Sequence, residues 1–594
     1  MRFADKVVLV TGSGTGIGQA VAKKFAEEGA SVIIMGRRRE PLEATARELE
    51  AIMKSRKSNG KVRMFPGVDV SSVQEVIDMF NTIGKEFNGI DILVNNAGVS
   101  GPVKILASQP FKEFRECVSI HLTGTFWMSM NALKYMNDNG RVITIATYFT
   151  EERPYEQRPY RFRTPYTSAQ GAKNRLSEAL AWEMAEKGKR IYFIVSNPGP
   201  VHSDRIYKTV YPKAAAEFIR IGGFQGLSAI DIERIASDVL PYVGEDDGML
   251  EKAIDRLASR IAEERSSEDI MQANASQHTS SIASTIRSCL DKIREVAEKI
   301  QNNTKNMIVD GNFLTQEETA EMILNLADVE VSRLVNGRIM PSDRVFYPVK
   351  PLISTYQHSD DAVGANLAGK NILLSISSSD DVTIRRVKHL IPKLSGYYAR
   401  CTLLSQHDIA LDGVDKRICN MMDEDEVRRI IREVRPNITI HLTGNYDYSR
   451  DITSLSREEW DVLVDRFINI PALISKETLN AIVHDGGREP SRFKNSNGTI
   501  IIVGPDAPYG KKVSNLLRAR AEVFRGALRP FAVTATQELS EVLNSNIRVY
   551  LLLPGSIDGK EPDDGRLVDT CLYLASGRAI NRVEVIYYPD EVRA

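Results

Sequence analysis

Short apolar runs alternate with amphipathic stretches along the first two hundred residues. The runs at 6–10, 31–35, 90–94, 141–147 and 191–195 are dense in Val, Ile and Leu, and read as strands buried on both faces of a parallel sheet. The stretches at 16–30 and 167–186 space apolar residues three and four apart, as a helix with one buried face requires. This alternation, sustained to about Ser203, predicts an α/β fold of the doubly wound, Rossmann type. From 230 to 312 the texture changes to helical spacing throughout, with polar loops at 244–248 and 266–280, which predicts an all-helical insert. A lid over the substrate, an oligomer surface and a structural cap all fit that pattern. Residues 316–346 then read helix, loop, strand. A stretch with two prolines and several small residues, 348–368, is the expected linker. A second α/β pattern starts at Lys370, with strands in NILLSIS, ARCTLLS, ITIHLTG, GTIIIVGP and IRVYLLLPG. The expected organisation is two tandem Rossmann-type domains: 1–347 with its insert at 230–312, linker 348–368, and 369–594.

Bulk properties narrow the function classes. A chain of 594 residues exceeds what one hydrophobic core supports. Lys and Arg number 77 against 78 Asp and Glu, a balance that gives no general reason to expect nucleic acid or an anionic membrane as partner. No apolar run approaches the ~20 residues needed to span a bilayer, and since residues 1–6 lead directly into the first strand, no signal peptide is expected. The five cysteines are scattered without a CxxC pair, which suits a reducing cytoplasm and argues against a zinc site. A soluble cytoplasmic protein without a metal is expected.

Chemistry enters at the end of the first strand. Thr11-Gly12-Ser13-Gly14-Thr15-Gly16-Ile17-Gly18 places glycines where backbone approaches a pyrophosphate and where helix packs on strand. The helix that follows offers free N–H groups and its positive end to phosphates. After the second strand comes Gly36-Arg37-Arg38-Arg39, where an NAD site carries an acidic residue for the ribose 2′-hydroxyl. Arginines there pair instead with a 2′-phosphate, so NADPH is the expected cofactor, held in part by Arg37 and Arg38.

The glycine spacing, together with Asp69-Val70, Asn95-Asn96-Ala97-Gly98 and Pro198-Gly199-Pro200-Val201 in order, resembles the short-chain dehydrogenase/reductase family. The resemblance implies that Asp69 and Val70 flank the adenine, and that Asn96, Ala97 and Gly98 line the cofactor. It places Pro198, Gly199 and Val201 beside the nicotinamide. It also implies that 316–346 completes the first sheet, so that the insert lies inside the first domain. The family's serine, tyrosine and lysine map to Thr147, Tyr166 and Gln170, and its supporting asparagine to His121. The tyrosine passes the proton, the serine holds the substrate oxygen, and the lysine supplies charge and binds the ribose. Gln170 carries no charge. Lys173 lies on nearly the same helix face, ~700° round from Tyr166 against ~400° for position 170, and is a partial substitute; His121 is a candidate proton relay.

The second half repeats the family order, with 460–469 resembling the asparagine helix and Pro554-Gly555 matching Pro198-Gly199. Its phosphate turn, however, is Ser375-Ile376-Ser377-Ser378-Ser379-Asp380, without glycine, and Arg518 and Glu522 stand at its tyrosine and lysine positions. It reads as a duplicated domain without a cofactor site, a scaffold or dimer partner. This tandem arrangement, with an insertion at 151–165, is similar to the carboxy-terminal half of bifunctional malonyl-CoA reductases. That likeness implies NADPH-dependent reduction of malonyl-CoA to malonate semialdehyde, with Arg163 and Arg205 as the cations for the substrate carboxylate. Two alternatives stand beside it: reduction of malonate semialdehyde to 3-hydroxypropionate, and a catalytically silent NADPH-binding partner subunit. The expected partners are a small acyl-CoA or short aldehyde, a second copy in a homodimer, and a separate reductase polypeptide.

Overall fold

The computed structural model describes residues 1–147, 161–203, 206–244, 247–265, 275–342, 366–411, 413–483, 489–510, 513–557, 563–579 and 585–589. The linker expected at 348–368 falls outside them up to residue 365, as does Arg205.

The chain folds into two parallel seven-stranded sheets with helices on both faces. The first contains β1 (Val7–Thr11), β2 (Ser31–Gly36), β3 (Val62–Pro66), β4 (Ile90–Asn95), β5 (Met136–Ile145), β6 (Ile191–Pro198) and β7 (Ile339–Ser342). Their order is β3-β2-β1-β4-β5-β6-β7. All six residues of β4 are buried, as expected of a central strand covered on both faces. The order reverses between β1 and β4, and that switch point opens a crevice at the carboxyl ends of the strands. β3 ends at Pro66, and Asp69 and Val70 sit in the turn beyond it.

The second sheet contains β8 (Asn371–Ile376), β9 (Arg400–Ser405), β10 (Asp415–Ile418), β11 (Ile438–Leu442), β12 (Asn497–Val503), β14 (Asn546–Leu552) and β16 (Ile586–Tyr587). A small ladder pairs β13 (Ala507–Tyr509) with β15 (Gly555–Ile557). The order β10-β9-β8-β11-β12-β14-β16 repeats the topology of the first sheet.

Between β6 and β7 lies a helical layer with its own apolar core, including Ala215, Ile219, Ile254, Leu257, Ile286 and Ile293. It starts at Ile206 rather than 230, because Tyr211, Ala215, Ala216 and Ile219 form one buried stripe on the helix Tyr211–Gly222. β7 returns to pair with β6 and completes the first sheet.

The two halves pack through the helices Thr164–Glu186 and Asn515–Gln537, and one apolar cluster continues across the junction. A Cβ on Gly526 would meet the Gly171 carbonyl at 3.0 Å, so glycine permits the close approach. Phe126 stacks on Trp460 with ring centroids 4.0 Å apart. Glu183 and Arg520 form a buried ion pair at 2.7 Å, and the same carboxylate accepts from the Ile452 and Thr453 amides.

Candidate active site

The glycine turn builds an open phosphate cradle. The Thr11 hydroxyl accepts from the amides of Asn96 and Ala97, both at 2.9 Å, which ties the end of β1 to the turn after β4. The Asn96 side chain returns two bonds, to the carbonyls of Thr11 and Gly12. Gly12 and Gly16 lie in the left-handed region at φ 64° and 66°. A Cβ on Gly18 would come within 2.5 Å of the Gly12 carbonyl, which explains the close packing of helix on strand. Ser13 is buried, its hydroxyl bonded to the Val10 carbonyl and the Met35 amide. It therefore shapes the turn from beneath. Thr15 is the N-cap of the helix Gly16–Glu27 and makes no side-chain capping bond. The first-turn amides of that helix, with Ile17 among them, are left for a ligand, and the cradle fits a pyrophosphate.

At the end of β2, Arg37 and Arg38 are exposed. Arg37 Nη1 lies 3.6 Å from Asp69, whose other oxygen accepts from the Ser71 amide and hydroxyl. Arg38 forms no ion pair among the described residues. Val70 is buried against Gly124, where a Cβ would stand 2.6 Å from it.

The reactive corner joins this cradle through Gly98. A Cβ there would collide with His121 at 2.4 Å, so the imidazole packs directly on the Asn95–Gly98 turn. His121 sits in a five-residue π-turn, Ser119–Thr123, with Nε2 2.8 Å from the Val99 carbonyl. Its ring meets Tyr166 edge-on, with centroids 5.1 Å apart. Tyr166 lies in the first turn of the helix Thr164–Glu186 and is half-buried, its hydroxyl unbonded among the described residues. The Arg163 guanidinium lies over the phenol face, 3.8 Å from the centroid, with Nη2 donating to the Ser100 carbonyl at 2.9 Å.

Thr147 is buried just beyond β5. Gln170 is buried, and its Oε1 has no hydrogen-bond partner among the described residues. Lys173 does not turn toward Tyr166 but donates to the Ile145 carbonyl at 2.7 Å. Full burial pushes its ammonium down to about 7. Relative to 10.5 in the unfolded chain, folding then costs roughly 5 kcal/mol below pH 7, and the cost is relieved as pH rises from about 7 to 10.5. Lys173→Met removes this penalty and gives up one hydrogen bond worth ~1 kcal/mol. Denaturant unfolding should show the variant more stable than wild type by about 3 kcal/mol near pH 6, with much of the gain gone near pH 9.

On the far side, the amide of Gly199 bonds the Ser342 carbonyl, and Val201 bridges Leu314. The helical layer is thereby stitched to the segment after Pro198. There His202, Tyr207, Tyr211 and Phe313 form an aromatic cluster that the sequence did not single out.

The second half fills the equivalent crevice with its own side chains. Asp380 caps the helix Asp381–Gly396 by accepting from the Thr383 amide at 3.0 Å, and it pairs with Arg466 at 2.9 Å. Burial works to raise the Asp380 carboxyl, but bonds from Thr383, Ser378 and Asn445 hold it below its ordinary value. An ionised carboxylate thus stands at the helix end where the first half leaves amides open. His441 is buried between the Ser375 and Ser377 hydroxyls and is pushed down to about 3 by burial. Arg518 donates to the Gly510 carbonyl, while Glu522 pairs with Arg525 and Arg529. Arg525, seven residues after Arg518 as Lys173 follows Tyr166, donates to the Pro505 and Pro554 carbonyls. The eight-residue helix and π-turn that carry His121 recur as Arg457–Val464 and Asp465–Asn469, and by position Phe467, not Asn469, matches His121.

The family model for short chain dehydrogenases matches residues 6–211. An uncharacterized oxidoreductase of Staphylococcus aureus is 31% identical over 201 residues, which is 34% of this chain and 79% of that protein. The chain belongs to the short-chain dehydrogenase family. A 3alpha-hydroxysteroid dehydrogenase of Mediterraneibacter gnavus is 36% identical over 147 residues, 25% of this chain and only 56% of that relative. Among solved structures, the C-domain of a bacterial malonyl-CoA reductase, crystallised with NADP, aligns with a TM-score of 0.67 at 16% identity. That alignment covers 98% of this chain and 95% of that one. The N-domain of a bacterial malonyl-CoA reductase, also with NADP, gives 0.63 at 17%, covering 99% and 98%. These likenesses establish the tandem family fold over nearly the whole chain. Among the described residues, no helix is long and apolar enough to cross a membrane, and no group of His, Cys, Asp and Glu is arranged to hold a metal ion.

Proposed function

We propose that the first half is an NADPH-dependent reductase of a short acyl-CoA or its aldehyde, with malonyl-CoA as first candidate. The observation that carries this reading is Tyr166, its hydroxyl open, set between the Arg163 cation and the His121 ring and joined through Gly98 to the uncapped helix end. The glycine cradle holds the pyrophosphate, and Arg37 with Arg38 takes the 2′-phosphate. The nucleotide, when bound, supplies hydride. Tyr166 gives its proton to the substrate oxygen, and Arg163 balances the charge left on the ring oxygen, the part that a lysine at position 170 plays elsewhere in the family. Thr147 holds the substrate oxygen, and His121 returns a proton to Tyr166. With a thioester the hydroxyl of the addition product then gives up its proton as the C–S bond breaks, and the departing thiolate takes up one proton, leaving the aldehyde and the free thiol. Arg205 is the proposed anchor for the substrate carboxylate, since Arg163 is engaged over Tyr166. The copy number in solution is proposed as two.

The test is NADPH consumption by the full chain with malonyl-CoA and, separately, with malonate semialdehyde, with the products identified. Turnover of either supports the reading. Tight NADPH binding with no turnover of either favours the silent partner subunit, the alternative that the unbonded Gln170 Oε1 supports.

Cofactor choice gives a further expectation. Arg37→Glu combined with Arg38→Glu should weaken NADPH binding about tenfold or more while leaving NADH binding unweakened. Both side chains are exposed, so screening keeps the effect below that of a buried pair. Equal weakening for both nucleotides, read by equilibrium titration, would remove the 2′-phosphate role.

A further inference from the structure

We infer that the second half positions the active site of the first half through one side chain, Glu538. This carboxylate opens the π-turn Glu538–Val542 at the end of the helix Asn515–Gln537 and is buried in the junction. Oε1 accepts from the amide of Phe162 at 2.6 Å, and Oε2 from the amide of Leu106 at 3.0 Å. Both amides belong to first-half loops, more than three hundred residues away in the chain. Phe162 stands one residue before Arg163 and four before Tyr166.

Phe162 is held in a demanding conformation. Its φ is 68°, in the left-handed region that a bulky side chain rarely enters. Such a residue persists only where its surroundings over-determine it. Three contacts do so here. Glu538 takes its N–H, its carbonyl accepts from the Lys104 amide at 3.0 Å, and its ring packs edge-on against Phe218 at 4.8 Å. The Phe162 conformation aims the next residue, Arg163, whose backbone is also non-helical at φ −132° and ψ 38°, and this places the guanidinium over Tyr166. Arg161 reinforces the docking through an ion pair with Glu541. On the loop side, the Ile105 amide is bound by Glu217, itself paired with Arg220, and Gln109 joins the Lys104 carbonyl to the Thr164 hydroxyl.

Burial pushes the Glu538 carboxyl up, while the bonds from the Leu106 and Phe162 amides favour its ionised form. A group this costly to bury is well placed to be retained for geometry rather than stability. Glu538 is a positioning residue: it touches neither substrate nor cofactor and acts through Phe162 and Arg163. The second half thereby becomes part of the catalytic unit.

This inference deepens the proposed reductase activity, and only its kinetic arm rests on that reading. Glu538→Gln keeps the shape but sets an amide N–H₂ against one of the two backbone donors. In the full chain it should lower kcat at least tenfold, leave NADPH affinity within twofold, and speed hydrogen exchange in segments 104–108 and 161–166 only. Thr534→Val removes a hydroxyl contact to Thr167 in the same junction and should leave kcat unchanged. Unaltered kcat in an active enzyme carrying Glu538→Gln overturns the inference. So does exchange that rises evenly across the junction, the mark of a merely structural role. Should the variant fail to fold, wild-type exchange decides. The Leu106 and Phe162 amides must be protected well beyond their loop neighbours, and equal exchange refutes the clamp. An inactive wild type with those two amides protected removes the proposed activity and leaves the clamp standing.

Discussion

Tyr166→Phe is expected to lower turnover about a thousandfold with NADPH affinity unchanged within twofold. The substitution deletes one oxygen and leaves the ring, so the stack under Arg163 and the edge contact with His121 both survive. A positioned proton donor contributes ~10²–10⁴ in rate. The loss should appear in kcat, because Tyr166 acts on the transition state rather than on ground-state binding. Arg163→Leu serves as the companion. It removes the cation while Tyr166 keeps its proton, so it should cost less than Tyr166→Phe. A Tyr166→Phe enzyme with kcat within threefold of wild type would place the proton donor elsewhere.

Glu183→Ala is expected to cost about 4 kcal/mol of stability, the largest single effect anticipated at the junction. Its carboxylate is fully buried and pairs with Arg520, which is itself buried. Removing one partner of a buried pair leaves an uncompensated charge, at ~3–5 kcal/mol. Asp451 remains beside Arg520 and softens that loss, whereas the Ile452 and Thr453 amides lose their acceptor and add to it. The double change Glu183→Leu with Arg520→Leu should recover much of the stability, since no buried charge is left alone. Denaturant midpoints for the three variants measure this directly, and a loss under 1 kcal/mol for Glu183→Ala would mean that the pair is open to water.

Much of the fold was legible because it is written in local pattern. Apolar runs marked the central strands of both sheets, and the turn from Thr11 to Gly18 marked the switch point. The edge strand β10 was missed for a physical reason: Asp415, Lys416, Arg417 and Ile418 are all exposed, so no apolar signal exists there. The helical layer was begun too late, since the stripe on Tyr211–Gly222 is short and follows a strand without a clear break. In the second half the absence of glycine drew notice to 375–380. Asp380 ahead of a helix was itself a readable N-cap, and its carboxylate occupies that helix end. Other parts of the site carried no local signal. Arg163 was picked out for a carboxylate, yet the non-helical backbone at the helix start turns it over Tyr166. Lys173 was given a role near position 170, but its length carries it to the Ile145 carbonyl instead. Glu538 reaches across 376 positions to Phe162, a relation that only the packed junction creates.

The central claim is an asymmetry: one half keeps an uncapped helix end for a nucleotide, and the other closes the same place with Asp380 and Arg466. Calorimetric titration of the full chain with NADPH tests it most directly. One equivalent per chain is expected, with binding abolished by Gly18→Val, whose added Cβ would strike the Gly12 carbonyl and the Asn96 side chain. Two equivalents per chain, or one that survives Gly18→Val, would contradict the account.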